Sequence, residues 1–352
     1  MKRTLFDLCR IPSMGGFEAE MRNYILKKAE PFADEIHVDK LGNVLVYRKG
    51  KVALKKPLTF VAHMDEPGFL VKRITKDGML QLMGEAMPAK SIIGKQLAIE
   101  GRNGRLYGIC GMKADHLQTP EEQKKTPAQE RLLIDIGCQS KEEAAKLVRP
   151  GNVVLPDMDP MELAGTMING RGLASKGGCT VLLKLLEEEP ACDCCYIFSV
   201  SGENWTLVAG KGALVAGRQV EPEVAVMLHG AQAAEGPGAN GNNTDCRCGF
   251  GGAISLKDGD YIFDRAIRQS VTKTAKETGT KWQFQYGDGQ VTGCGRFATV
   301  GAGCKILPIS LPVRYLKGPA GVCDLRDLES MADLCRLTMK VMAQGQTEGA
   351  GE

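Results

Sequence analysis

Four apolar runs along the chain stop on a polar side chain: LTFVAH on His63, YIFSVSGE on Glu203, VAVMLH on His229 and ILPISLPVRYLK on Lys317. Short β-rich runs separated by helical patterns predict strands of an α/β sheet, and ligands of such sheets sit outside the carboxyl ends of the strands. The pattern therefore predicts that His63, Glu203, His229 and Lys317 converge on one site. Helical spacing of apolar residues marks FEAEMRNYILKKAEPF, GGCTVLLKLLEEE, DRAIRQSVTKTAKETG and DLRDLESMADLCRLTMKVMAQ as helices. The segment EIHVDKLGNVLVYRKGKVALKKPLTFVAH reads as a strand pair leading into a buried strand.

Between residues 67 and 167 the character changes. GFLVKRITKDGMLQLMG, QLAIEGRNGRLYGIC and RLLIDIG are short alternating runs punctuated by Asp-Gly, Asn-Gly and Gly, the signature of a small barrel or sandwich. HLQTPEEQKKTPAQE, polar and proline-bearing, is expected to be a mobile loop among them. The expected organisation is a discontinuous α/β domain, 1–66 and 168–352, interrupted by an all-β insert at 67–167. A chain of 352 residues is long enough for two cores.

Charge and cysteine content narrow the class further. The balance of 45 basic and 42 acidic residues, interleaved along the chain, predicts neither a nucleic-acid nor a membrane surface. The start MKRTLFDLCRIPSMGG lacks the apolar core of a secretion signal, and no stretch reaches the length of a membrane span, so a cytoplasmic protein is expected. Thirteen cysteines, an odd number, argue against a secreted disulfide framework. Cys192, Cys194 and Cys195, like Cys246 and Cys248, lack the CxxC spacing of a zinc site and are expected to be reduced core thiols. GANGNNTDCRCGFGG fits no phosphate-binding fingerprint and reads as a flexible loop.

The strongest local motif is His63-Met64-Asp65-Glu66-Pro67-Gly68-Phe69. Two residues apart on an extended strand, His63 and Asp65 project to the same side, so the carboxylate can orient the imidazole while the other ring nitrogen meets a metal. The competing reading is a hydrogen-bonded histidine beside a surface acidic pair.

HMDEPGF, KRITKDGMLQLMG, LLIDIGCQSKEEA, INGRGLASKGGC, ALVAG and LPVRYLKGPAGVCDLRDLE, in that order, resemble the glutamyl aminopeptidase and "cellulase M" family of cobalt- or zinc-dependent aminopeptidases of the tetrahedral type. The resemblance spans nearly the whole chain. It implies a zinc-peptidase α/β/α domain with an inserted small β-domain through which subunits assemble into homodimers and larger oligomers, and a peptide or amino-acid ligand. It also implies a set of site positions. His63 stands where the family has a metal ligand, Ala174 where it has the carboxylate that bridges two metals, and Lys176 where it has an arginine. The family's consecutive glutamates, base and ligand, align with Gly202 and Glu203. Its next aspartate aligns with His229, and the histidine after Pro-Val-Arg-Tyr with Lys317.

These replacements change the chemistry the resemblance implies. A bridging carboxylate holds two cations roughly 3.5–4 Å apart, and alanine has no lone pair to offer. A positioned general base contributes about 10²–10⁴ in rate, and glycine cannot supply it. The expectation is an aminopeptidase-like protein without the dinuclear hydrolysis, serving in ligand binding or assembly, with no cofactor or at most one divalent cation, zinc or cobalt, held by His63, His229 and Glu203. Asp65, Lys176, Glu203 and Lys317 are the candidate binding residues, with the Lys317 ammonium facing Glu203 in place of the second cation. Two other readings stand beside it: an active aminopeptidase using the altered His63, His229, Glu203 site, and a hydrolase with Cys179 or Ser175 as nucleophile beside a lysine. A glycosidase finds no support, since it needs a carboxylate pair across a sugar-binding cleft with aromatic platforms.

Overall fold

The computed structural model describes residues 1–84, 87–128, 131–203, 210–238, 246–286 and 293–349. The chain divides into two compact units, one of residues 1–66, 160–316 and 321–352, the other of residues 67–159 and 317–320.

The first unit is built on an eight-stranded sheet in the order Glu35–Val38, Val44–Arg48, Cys194–Ser199, Leu58–His63, Val224–Gln232, Lys305–Val313, Gly252–Ser255, Trp282–Gln285. The four central strands, Cys194–Ser199 through Lys305–Val313, run parallel. Their near-continuous apolar sequences follow from burial on both faces. On one face, helices Lys2–Arg10, Ala19–Ala29, Leu173–Leu186 and Leu325–Gly349 close over Phe60, Ala62, Tyr196, Phe198, Leu228 and Ile309. On the other, helix Lys211–Val220 and the turn Cys294–Thr299 cover Val61, Ile197, Ala225 and Met227. This is an α/β/α arrangement. Helix Leu173–Leu186 is buried nearly all round, as a helix packed against the sheet and against other helices must be.

The second unit is a closed six-stranded barrel, Phe69–Ile74, Leu80–Met83, Leu133–Asp135, Gly104–Gly111, Gln96–Gly101, Val153–Pro156. Its inward residues, among them Phe69, Val71, Leu82, Ile99, Ile134 and Val154, form a core of their own.

Three local features differ from the sequence-based expectation. The α/β unit resumes at Pro160 rather than at 168, because strand Met161–Glu162 pairs with Met167–Gly170, which pairs in turn with Gly321–Asp324, making a three-stranded sheet of the first unit. Lys2–Arg10 is a helix whose Leu5, Leu8 and Cys9 fill the core. The polar stretch expected as a loop contains helix Pro120–Gln123, opened by a capping box in which Thr119 and Glu122 each accept the other's backbone N–H.

The Gly- and Asn-rich stretch is only partly described, since residues 239–245 lie outside the described set. Residues 246–252, expected to be flexible, are tied down by side chains. Arg247 donates its N–H to Gln283 and Cys248 to Glu235, Gly249 and Gly251 donate to Asp327, and Gly252 donates to Ser330. Gly249 and Gly251 adopt φ of 87° and 99°, a region open to glycine at little cost.

Asp327 is wholly buried, and burial pushes its carboxyl up to about 7 against the pull of the two glycine N–H donors, with Asp324 adding to the rise and Arg326 opposing it. The unfolded chain releases that proton near pH 4, so the stability this group contributes is present below about pH 4 and is lost as pH rises to about 7. Urea midpoints of the native protein measured against Asp327→Asn should fall over that window and level off above it. A difference profile that is flat from pH 4 to 7 would show that the two N–H donors hold the carboxylate ionised.

Candidate functional site

Strand register brings two of the predicted run endings, His63 and His229, to one edge: Ser199 pairs with His63, Ala62 with Leu228, and His229 with Ser310. His63 Nδ1 stands 3.5 Å from Asp65 Oδ1, too long for a directed hydrogen bond, and that nitrogen has none among the described residues. Burial opposes charging the ring, but Asp65 and Glu203 outweigh it and hold the imidazole above its ordinary value.

Asp65 itself is turned inward. Its two oxygens accept the backbone N–H groups of Gly202 and Glu203, each at 2.7 Å. Glu18 accepts the preceding N–H, that of Ser201, at 3.0 Å. Three consecutive amides thus end on two buried carboxylates, forming an anion nest filled by the protein's own side chains, and Ser201 adopts a left-handed φ of 49° to make it. Glu18 is held above the usual carboxylate range by burial and by Asp65, with the Ser201 N–H pulling the other way. The same fold of segment 201–203 presses Gly202 against the histidine: a Cβ there would lie 2.2 Å from His63 Cβ.

His229 is placed beside His63 but is engaged on both nitrogens. Nδ1 lies 2.9 Å from the Gly230 carbonyl, which only accepts, so Nδ1 carries the proton. Nε2 is 3.2 Å from Ser310 Oγ, a hydroxyl whose one proton also has Gln285 Oε1 in reach at 3.2 Å. Burial keeps the ring neutral, lowering its pKa. Its expected metal-facing lone pair is therefore turned to Ser310.

Lys176, expected to face a ligand, lies behind the site in a charge cluster. Its ammonium is fully buried, 2.9 Å from Glu66 Oε1, and donates to the Ile11 carbonyl at 3.1 Å. Arg171 Nε approaches Glu66 Oε2 at 2.9 Å, as an ion pair whose N–H is not aligned for a hydrogen bond. Glu66 also accepts the Ser13 N–H at 3.1 Å. Ala174 abuts the sheet at Gly230, where an added Cβ would come within 2.7 Å of the alanine methyl. The alternative nucleophiles face inward as well. Ser175 donates to the Gly172 carbonyl and Cys179 to the His63 carbonyl, and burial raises the Cys179 thiol far above its ordinary value.

Lys317 is exposed and falls with the barrel unit, and Glu203 falls with the α/β unit. Trp205, which the sequence suggests as a core filler, lies outside the described residues. Among the described residues no group of three or more His, Cys, Asp or Glu side chains is arranged to hold a metal ion. Sequence reasoning missed Glu18 and Ser310, and it named Glu66 within the His63 motif without giving it a partner; the residue is buried, not part of a surface acidic pair.

A family model for the M42 glutamyl aminopeptidases matches residues 42–334. The chain belongs to that family. Among curated relatives of this M42 chain, the putative aminopeptidase FrvX of Escherichia coli (strain K12) is 28% identical over 337 residues, covering 94% of this chain and 93% of its own. Among solved structures, an aminopeptidase from the archaeon Desulfurococcus kamchatkensis superposes with a TM-score of 0.87 at 27% identity, covering 95% of this chain and 93% of that one. The TET1 peptidase of Pyrococcus horikoshii, which can assemble into a tetrahedron or a large octahedral shell, superposes with a TM-score of 0.82 at 27% identity, covering 96% and 98%. No helix among the described residues is long and apolar enough to cross a membrane.

Proposed function

We propose that this M42 protein keeps the family frame as a self-assembling, peptide- or amino-acid-binding protein of the cytoplasm and does not carry out dinuclear metal hydrolysis. The M42 family is normally metal-dependent, and the metal in question is the family's pair of cations. The residues present do not fit that pair. Position 174 offers a methyl group and position 202 no side chain, and His229 has both nitrogens engaged. The observation that carries the reading is the closure of segment 201–203 over Asp65 and His63, which ties each Asp65 oxygen to a backbone N–H and leaves no space at Gly202 for a general base. Self-association is supported by the shells that the Pyrococcus horikoshii relative forms. Reduced, buried thiols suit a cytoplasmic setting.

Protein expressed with added zinc or cobalt and purified without chelator should contain less than one bound metal per chain by plasma mass spectrometry. Aminoacyl anilides should show no cobalt-stimulated cleavage. Two metals per chain together with cobalt-stimulated release would instead establish an active aminopeptidase working through His63, His229 and Glu203, the reading that the names of the relatives favour.

A further inference from the structure

The segment that closes over Asp65 and His63 is held by its backbone N–H groups. Asn43 accepts that of Val200 at 2.9 Å, Glu18 that of Ser201 at 3.0 Å, and Asp65 those of Gly202 and Glu203 at 2.7 Å each. Asn43 adjoins strand Val44–Arg48 and Asp65 follows strand Leu58–His63, so the sheet fixes two of the three acceptors. Glu18 is different, because it rides on the irregular stretch between helices Lys2–Arg10 and Ala19–Ala29. Closure works against two local costs. Ser201 holds a left-handed φ of 49°, which is unfavourable for a residue other than glycine, and the Glu18 and Asp65 carboxylates repel each other across the amides they share.

The stretch that carries Glu18 is fastened along its length to the buried charge cluster. Arg171 donates to the Cys9 carbonyl at 3.3 Å and Lys176 to the Ile11 carbonyl at 3.1 Å. Ser13 and Glu66 bond twice, the Ser13 N–H to Glu66 Oε1 at 3.1 Å and the Glu66 N–H to the Ser13 carbonyl at 2.8 Å, and Met14 forms a parallel bridge to Glu66. Next along the chain, a Cβ on Gly15 would lie 3.5 Å from Asp65 Oδ2. Glu18 then precedes helix Ala19–Ala29 without making a side-chain capping bond, so the helix start does not depend on its carboxylate. One short stretch therefore runs from the cluster to the carboxylate that meets Ser201.

We propose that residues 11–18 form a strap that sets whether segment 200–203 lies closed over the site, with Glu18 as its working end and the Glu66, Lys176 and Arg171 cluster as its anchor. Release of the strap lets Ser201 leave its left-handed conformation. It also loosens the amides on Asp65, which stands 3.5 Å from His63 Nδ1, a nitrogen with no hydrogen bond among the described residues. The strap therefore decides whether Asp65 serves the backbone of residues 202 and 203 or the imidazole. It acts in the same way whether or not the protein cleaves peptides, and so goes beyond the binding reading above.

The test is hydrogen–deuterium exchange of the full-length protein, resolved to single residues by mass spectrometry. Exchange at residues 200–203 is compared with exchange along strand Cys194–Ser199, whose buried amides report opening of the whole unit. Glu18→Ala should speed exchange at 201–203 by about ten- to a hundredfold relative to the strand, the effect of losing a hydrogen bond to a charged acceptor. Glu18→Gln keeps an acceptor and should change that ratio by less than about threefold. Lys176→Met touches none of these amides, yet by freeing Ile11 it should raise the ratio by about tenfold. Arg171→Met, which frees Cys9, gives the same reading if Lys176→Met does not fold. Native exchange at 201–203 in Glu18→Ala would overturn the proposal, since Asn43 and Asp65 would then hold the segment unaided. An unchanged ratio in the cluster variants, with segment and strand rising together or not at all, would overturn it as well, because the anchor would then carry global stability only.

Discussion

Glu66→Gln is expected to lower the stability of the folded protein by about 3–5 kcal/mol, the range for removing one partner of a buried ion pair. The size follows from what the change strands. Glu66 carries the negative charge between Lys176 and Arg171, all three are almost completely buried, and burial already drives the Lys176 pKa down, with Glu66 opposing that fall and Arg171 adding to it. A neutral glutamine leaves two cations facing each other without water. The loss should also loosen the N-terminal segment, since Ser13 bonds to the Glu66 side chain and Ile11 to Lys176. Adding Lys176→Met to Glu66→Gln should recover part of the loss, because the pair is coupled and the double change leaves only one buried cation. Guanidinium unfolding of the three proteins gives the comparison. A Glu66→Gln cost under about 1 kcal/mol would mean that water reaches the cluster.

Restoring the family's general base by Gly202→Glu, alone or with Ala174→Asp, is expected to destabilise the protein without restoring turnover. A Cβ at 202 would fall 2.2 Å from the Cβ of His63, the root of that side chain, so no rotamer of the imidazole relieves the clash. The segment 201–203 would have to lift, releasing the amides that Asp65 and Glu18 hold. Overpacking of this kind costs about 1–3 kcal/mol. Gly202→Ala isolates the steric part and should show most of the same drop in unfolding midpoint. If Gly202→Ala is neutral and Gly202→Glu with Ala174→Asp cleaves aminoacyl anilides in cobalt, the closed segment is a soft feature and the proposed loss of hydrolysis is wrong.

The α/β architecture was legible because buried parallel strands write themselves as unbroken apolar runs, and the residue that ends each run marks the edge where ligands sit. The barrel was legible through its Asp-Gly and Asn-Gly turns. Its far boundary was not, because Met161–Glu162 and Met167–Gly170 look like further barrel strands, and Met167–Gly170 finds its second partner only at Gly321–Asp324, more than 150 residues on. The helix Lys2–Arg10 was overlooked although Leu5, Leu8 and Cys9 have the spacing of a helical face.

At the site, residue identity was readable and partnership was not. His63 and Asp65 could be paired from their spacing, yet the stronger bonds of Asp65 go to the backbone of residues 202 and 203, which no side-chain pattern encodes. Lys176 and Glu66 lie 110 positions apart, so their pairing waits on helix Leu173–Leu186 docking beside the end of strand Leu58–His63. His229 was expected to look outward, and Ser310 on the neighbouring strand decides otherwise.

All thirteen cysteines are unpaired and buried. A thiol reagent can therefore react only when the surrounding structure opens, and the chain carries a built-in set of opening reporters. Cys110 and Cys138 lie in the barrel unit and the other eleven in the α/β unit, so pulsed alkylation read by peptide mass would time the breathing of each unit separately, with no label introduced.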